Sequence, residues 1–132
     1  MTIAEVSKKY DLTPNTLRYY ERIGLLSDIP RTKNGIRDYD EHSCKRIKFI
    51  KCMRNAGVEI EILIKYMTLF NKGKSTVDAR KKLLEEQREK LLEKQKNINE
   101  TIDRLNYKIE LYGVRIDIWT HFMRGCIIDY VH

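Results

Sequence analysis

Apolar residues recur at helical spacing in short blocks along this chain, and each block is opened and closed by residues that start or stop helices. Ile3, Val6 and Tyr10 form the first such face. Thr2-Ile3-Ala4-Glu5 ahead of it is a capping box, in which the Thr2 hydroxyl accepts from the Glu5 N–H while Glu5 reaches back, and a helix over about 3–9 follows. Asp11-Leu12 reads as a turn. Thr13 is a good N-cap and Pro14 stands at the first helical position, where its missing N–H has no partner to lose. A second helix therefore starts here, runs to about Ile23 and stops at Gly24. Two short helices joined by so short a turn form the helix-turn-helix pattern.

Residues 25–39 lose the helical period. Pro30, Asn34 and Gly35 break helix, while Ile36, Arg37 and Tyr39 suit a short strand, so a small hairpin, or wing, is expected. Asp40 caps a third helix over about 41–55, ended by Asn55-Ala56-Gly57. Ile60, Leu63, Ile64, Met67 and Phe70 give a fourth apolar face. Lys72-Gly73-Lys74 is the one linker-like stretch, and Ser75-x-x-Asp78 opens the longest element. There the register is Leu84, Leu91, Ile98, Ile102, Leu105, Ile109 and Tyr112, a heptad seam interrupted by Arg88 and Gln95. A helix over 76–112 spans roughly 55 Å at 1.5 Å per residue. The N-terminal block is too small to cover such a stripe, so a second copy of the chain is expected to pair with it. Gly113 breaks the pattern, and the tail 113–132 has 11 of 20 residues from the apolar set, Trp119, Phe122, Ile127 and Ile128 among them. It is too short and too charged to cross a bilayer and is expected to pack. Three segments result: 1–71, 76–112 and 113–132.

Charge sharpens this division. The chain carries a formal +7, and residues 1–57 hold 12 Lys/Arg against 7 Asp/Glu while 76–112 hold 9 against 8. The positive excess thus sits with the helix-turn-helix, as a polyanion partner requires. Three cysteines without paired spacing argue against a disulfide framework. No signal peptide or membrane span is evident, and a cytoplasmic location is expected. Cys-His pairing at meaningful spacing, a phosphate loop and a cleft-like carboxylate pair are all missing, so an enzyme is not expected. A pure coiled-coil adaptor would explain 76–112 and leave Arg18, Tyr20 and Arg37 idle.

Thr13-Pro14-Asn15-Thr16-Leu17-Arg18-Tyr19-Tyr20-Glu21-Arg22, then Gly24-Leu25, Arg31, Gly35-Ile36-Arg37-Asp38-Tyr39 and Ile47–Gly57, resemble the MerR family of transcription regulators over about residues 1–112. The resemblance implies a mainly α fold: a winged helix-turn-helix followed by a long helix that forms an antiparallel coiled coil in a homodimer. It implies double-stranded DNA as the partner, a palindromic promoter operator whose over-long spacer is bent and untwisted so that bound RNA polymerase can use it. Such distortion costs several kcal/mol and must be offset by contacts.

On that footing Arg18 reaches a guanine edge in the major groove, where a bidentate contact discriminates by about 1–3 kcal/mol; otherwise it pairs with Glu21, one turn on. Thr13, Asn15 and Thr16 lie where helix N–H groups and hydroxyls favour phosphate, with Thr13 as cap and Thr16 the better contact. Tyr19 and Tyr20 cannot both face the core, and the resemblance makes Tyr20 the phosphate contact. It also gives Arg37 and Tyr39 backbone phosphates, with Arg31 nearby; Lys33 is either a contact or merely solvated.

No cofactor and no metal site is expected. Residues 74–80 lack the cysteine that metal-sensing members carry, and His121, Cys126 and His132 form a weak metal signal. The stretch Phe49–Gly57 resembles the family's thiol-based subgroup, which responds to aldehydes, other electrophiles or nitrosative stress through one cysteine, here Cys52. Lys45, Lys48, Lys51 and Arg54 favour its thiolate, while the nearby helix C-terminus opposes an anion. The alternative is a small packed apolar residue, as is preferred for Cys44. Two departures stand out: Glu59 replaces the usual hydroxyl cap of the fourth helix, and the apolar tail leaves open a regulator that senses a metal or small molecule there.

Overall fold

The computed structural model describes residues 1–113; the expectations for the tail, with His121, Cys126 and His132, lie outside the described residues. Helix α1 runs Ile3–Tyr10 and α2 runs Pro14–Arg22, followed by α3 at Glu41–Asn55 and α4 at Ile60–Asn71. A single 3-10 turn, Lys74–Thr76, leads into α5, Val77–Tyr112. No helix among the described residues is long and apolar enough to cross a membrane.

The caps work as their side chains dictate. Thr2 accepts from the Glu5 N–H at 3.2 Å while the Thr2 N–H donates to Glu5 Oε1 at 3.1 Å, the reciprocal pair of a capping box. Thr13 Oγ1 accepts from the Thr16 N–H at 3.1 Å, and Asp40 Oδ1 accepts from the Ser43 N–H at 2.8 Å. Glu59 supplies no side-chain cap to α4, in line with its missing hydroxyl. The Ser75 expectation needs correction: Thr76, not Ser75, organises the start of α5. Its hydroxyl donates to the Leu69 carbonyl and to the Gly73 carbonyl at 2.8 Å, and it accepts from Arg80 Nε at 3.1 Å.

The backbone divides into two compact units, one over Met1–Gln87 and another beginning at Arg88, so the boundary falls inside α5. The core of the first gathers Val6 from α1, Leu17 and Tyr20 from α2, Cys44, Ile47 and Ile50 from α3, and Leu63 and Met67 from α4. Leu25, Leu26, Ile29 and Tyr39 join it. The wing segment is therefore half core, where the sequence suggested only a hairpin. Leu25 and Leu26 both donate their N–H to the Tyr20 carbonyl, at 2.9 and 3.1 Å, which folds the chain back under α2 immediately after Gly24. Gly24 permits this with φ of 88°, in the left-handed region that glycine adopts freely.

The expected strand is smaller than the pattern suggested. Arg31 and Arg37 form an isolated antiparallel bridge around a turn in which the Gly35 N–H donates to the Thr32 carbonyl at 2.9 Å. Pro30 has no N–H and its neighbour segment carries the bonding through carbonyls: the Asp38 N–H donates to the Pro30 carbonyl at 2.7 Å. The Tyr39 N–H then donates to the Met1 carbonyl at 2.8 Å, and the Met1 ammonium pairs with Asp38 at 2.9 Å.

On α5, Leu83 is buried, a position the heptad reading passed over. The seam residues Leu84, Ile98, Ile102, Leu105, Ile109 and Tyr112 are exposed in the single chain, Ile109 by 66%, and Leu91 is half-buried.

Two caps tie stability to pH. The Ser43 N–H and hydroxyl hold the Asp40 carboxyl below its ordinary 3.8, and bonding to Thr2 holds Glu5 below its ordinary 4.5. A carboxyl depressed by folding stabilises above its unfolded pKa, and the gain is lost as pH falls through the folded value. The urea midpoint should thus fall as pH drops below about 4.5. Asp40→Asn keeps a capping oxygen but cannot titrate, so its acid limb should be flatter than wild type; superimposable limbs would refute the assignment.

Candidate nucleic-acid interface

Helix α2 buries Leu17 completely and leaves Tyr20 7% exposed, and these two residues are its inward edge. Arg18, Tyr19 and Arg22 consequently turn outward with Asn15 and Thr13. The first turn is internally bonded. Thr13 and Thr16 share a hydroxyl–hydroxyl hydrogen bond of 2.8 Å, and Arg18 Nη1 donates to Asn15 Oδ1 at 3.0 Å. Arg18 is thus held beside the helix start by Asn15, and the expected alternative pairing with Glu21 is not formed.

The two tyrosines divide between the core and the surface, as adjacent helix positions must. Tyr20 packs into the core, while Tyr19 is 40% exposed with the Arg22 guanidinium 5.3 Å from its ring centre. Position 20 falls on the same face as Leu17, three residues earlier, and the helical period sends position 19 outward. Tyr39 is also a core residue, 2% exposed, and its hydroxyl has no partner among the described residues. Burial pushes its phenol up from the ordinary 10.0, against the opposing pull of Arg37. The Tyr39 hydroxyl is thus enclosed, whereas Tyr20 buries its ring without its hydroxyl being among the buried, unpartnered polar atoms.

Glu21 is the residue of this surface that the sequence reading weighed only against Arg18. Its Oε2 accepts from Arg37 Nε at 2.6 Å and its Oε1 accepts from Arg31 Nη2 at 3.1 Å. Arg31 Nη1 also donates to the Gly35 carbonyl at 3.2 Å. The last turn of α2 and both legs of the wing are therefore joined through one carboxylate. The signal available in sequence was weak: one acid on a basic helix, with its partners 10 and 16 positions away. Lys33 stands exposed in the wing turn.

Cys52 lies in the last turn of α3 and is exposed, whereas Cys44 is buried with its Sγ 3.9 Å from Met1 Sδ. Of the cations expected near Cys52, Lys51 donates to the Tyr10 carbonyl, Arg54 to the Val58 carbonyl at 3.0 Å, and Lys45 pairs with Glu41 at 3.4 Å. Lys48, four residues before Cys52 on α3, is exposed. Among the described residues no cluster of three or more His, Cys, Asp or Glu could hold a metal ion.

Comparison with known proteins agrees with this arrangement. A family profile described as MerR HTH family regulatory protein matches residues 1–85. The chain is 57% identical over 89 residues to the HTH-type transcriptional regulator AdhR of Bacillus subtilis strain 168, covering 67% of this chain and 64% of that protein. It therefore spans just under two thirds of that relative's length. A MerR family transcriptional regulator from Listeria monocytogenes, solved as a crystal structure, superposes with a TM-score of 0.84 at 35% identity, covering 98% of both chains. HiNmlR, a MerR family regulator lacking the sensor domain and solved bound to promoter DNA, superposes with a TM-score of 0.78. At 24% identity, covering 85% of this chain and 89% of that one, it speaks for the fold alone. A capped helix-turn-helix, a one-bridge wing and a long apolar-striped helix are here together in one matched sequence, and the chain belongs to the MerR family of DNA-binding transcriptional regulators.

Proposed function

We propose that this regulator binds a palindromic promoter operator as a homodimer and activates by distorting the promoter spacer for RNA polymerase, in response to aldehyde or other thiol-reactive stress. The observation that carries the reading is the joining of α2 to the wing through Glu21, which puts Arg18 and the wing cations on one connected surface. In this reading Arg18 selects bases from the outward face of α2. Asn15 orients it, and the Thr13–Thr16 pair and Tyr19 meet backbone phosphate beside it. Arg37 and Lys33 hold phosphate from the wing, while Tyr20 and Tyr39 support the surface from the core side.

Dimerisation follows from surface chemistry. A row of large apolar side chains at seam spacing, exposed along α5, is what a second helix covers. Cys52 is the proposed sensor because it is the accessible one of the two described thiols, and reaction with an electrophile needs access as much as thiolate character.

Three outcomes test the reading. In gel-shift titrations across a salt series, Arg37→Ala should weaken all duplexes alike and lower the salt slope by about one, whereas Arg18→Ala should also alter sequence preference. Equal affinity for wild type and both variants would remove the assignment. In sedimentation velocity, Leu105→Lys with Ile109→Lys should convert dimer to monomer, and an intact dimer would take α5 out of the interface. In a reporter strain, Cys52→Ser should abolish the response to formaldehyde or methylglyoxal; an unchanged response would sink the sensor role.

A further inference from the structure

The tip of the wing, residues 31–37, buries no side chain, in contrast to its base, where Ile29 and Tyr39 enter the core. It makes one bridge and one tight turn, and isolated two-stranded hairpins are marginal in water. Its two bridged residues are both arginines, and like charges directly opposite across a strand pair are destabilising. Glu21 removes that conflict by accepting from both guanidinium groups at once, with Oε1 on Arg31 and Oε2 on Arg37. The carboxylate is only 22% exposed, so it is screened less than a fully surface pair.

The two arginines are not used alike. Arg31 spends Nη2 on Glu21 and Nη1 on the Gly35 carbonyl, which crosses the turn from one leg to its tip. Arg37 gives Glu21 its Nε. Among the described hydrogen bonds its two terminal nitrogens remain uncommitted, and a guanidinium held at one edge can still present its other N–H groups to a phosphate.

We propose that Glu21 is the positioning residue of the DNA-reading surface: it holds Arg37 ready for backbone phosphate and makes Arg31 an internal brace of the wing. Glu21 itself does not touch DNA. The inference rests on the interface reading above, and it makes a prediction of opposite sign to simple charge counting. Glu21 is a negative charge beside a surface that meets a polyanion, so removing it should tighten binding if only the summed charge mattered. If Glu21 positions Arg37, removing it should weaken binding, because Arg37 must then be ordered at the moment of contact.

The test uses the full chain and a duplex carrying its operator, or a random duplex where none is known, with affinity measured across a salt series. Glu21→Gln should weaken binding about tenfold while leaving the salt slope close to wild type, since the phosphate contact still forms. In an Arg37→Ala background the same change should have little further effect, a non-additivity that a general folding defect does not produce. Arg31→Ala should lower affinity without the loss of slope seen for Arg37→Ala. Unchanged or tighter binding by Glu21→Gln overturns the proposal, as does an equal loss in the Arg37→Ala background. If Glu21→Gln proves unfolded by circular dichroism, Arg31→Lys and Arg37→Lys keep the charge and remove the fork; they should weaken binding likewise, and wild-type affinity in both overturns the proposal. Failure of the wild-type chain to bind any duplex instead brings down the interface reading itself.

Discussion

Helix α2 is nine residues long and enters the core through Leu17 and Tyr20. That narrow attachment governs what the N-terminal domain can present. With two inward positions set three residues apart, the helical period leaves Asn15, Arg18, Tyr19 and Arg22 on the other side. The attachment is reinforced from below, where the Tyr20 carbonyl receives both the Leu25 and Leu26 N–H groups and Arg46 on α3 donates to the Ser27 carbonyl at 3.0 Å. The helix is fixed by apolar burial, and its polar face is then free to be wholly functional. A large-to-small change at a fully buried leucine of this kind costs about 2–5 kcal/mol, and here it would also loosen the outward face of α2.

The wing has the reverse construction. Its base is anchored in the core by Ile29 and Tyr39, but its tip buries little and is tied to α2 by ion pairs with Glu21. Apolar burial is non-directional, whereas a carboxylate accepting two guanidinium groups specifies geometry. A protein that distorts DNA needs its contacts at fixed separation, because deformation energy is offset only if every contact is made together. In the proposed interface, Glu21 would supply that fixed separation between α2 and the wing.

Elements governed by local rules were legible in the sequence. The Thr2 and Asp40 caps, the Thr13-Pro14 helix start, and the spans of α3 and α4 follow from side chains acting on neighbours within a turn. What escaped was governed by distant partners. Leu25, Leu26 and Ile29 lack a period because they pack from a loop, so nothing in their spacing marks them as core. Tyr39 sits in a stretch that alternates like a strand, and its burial depends on elements far along the chain. The packing of Tyr20 was legible, since it shares the Leu17 face. Glu21 was weighed only against Arg18, its neighbour in the helix, while its real partners lie across the wing. For Cys52 the cations in sequence reach were visible, but most are engaged by carbonyls or by Glu41.

The bare stripe along α5 has a consequence for dosage. Where two chains must meet before either can grip a two-fold site, occupancy at low abundance rises with the square of chain concentration, and folding and assembly share one equilibrium. Below that threshold each unpaired chain displays a run of exposed leucine, isoleucine and tyrosine side chains, the kind of surface that invites aggregation or capture. In the proposed dimer, that seam would also gauge how much regulator the cell holds, leaving the promoter unanswered when copies are scarce.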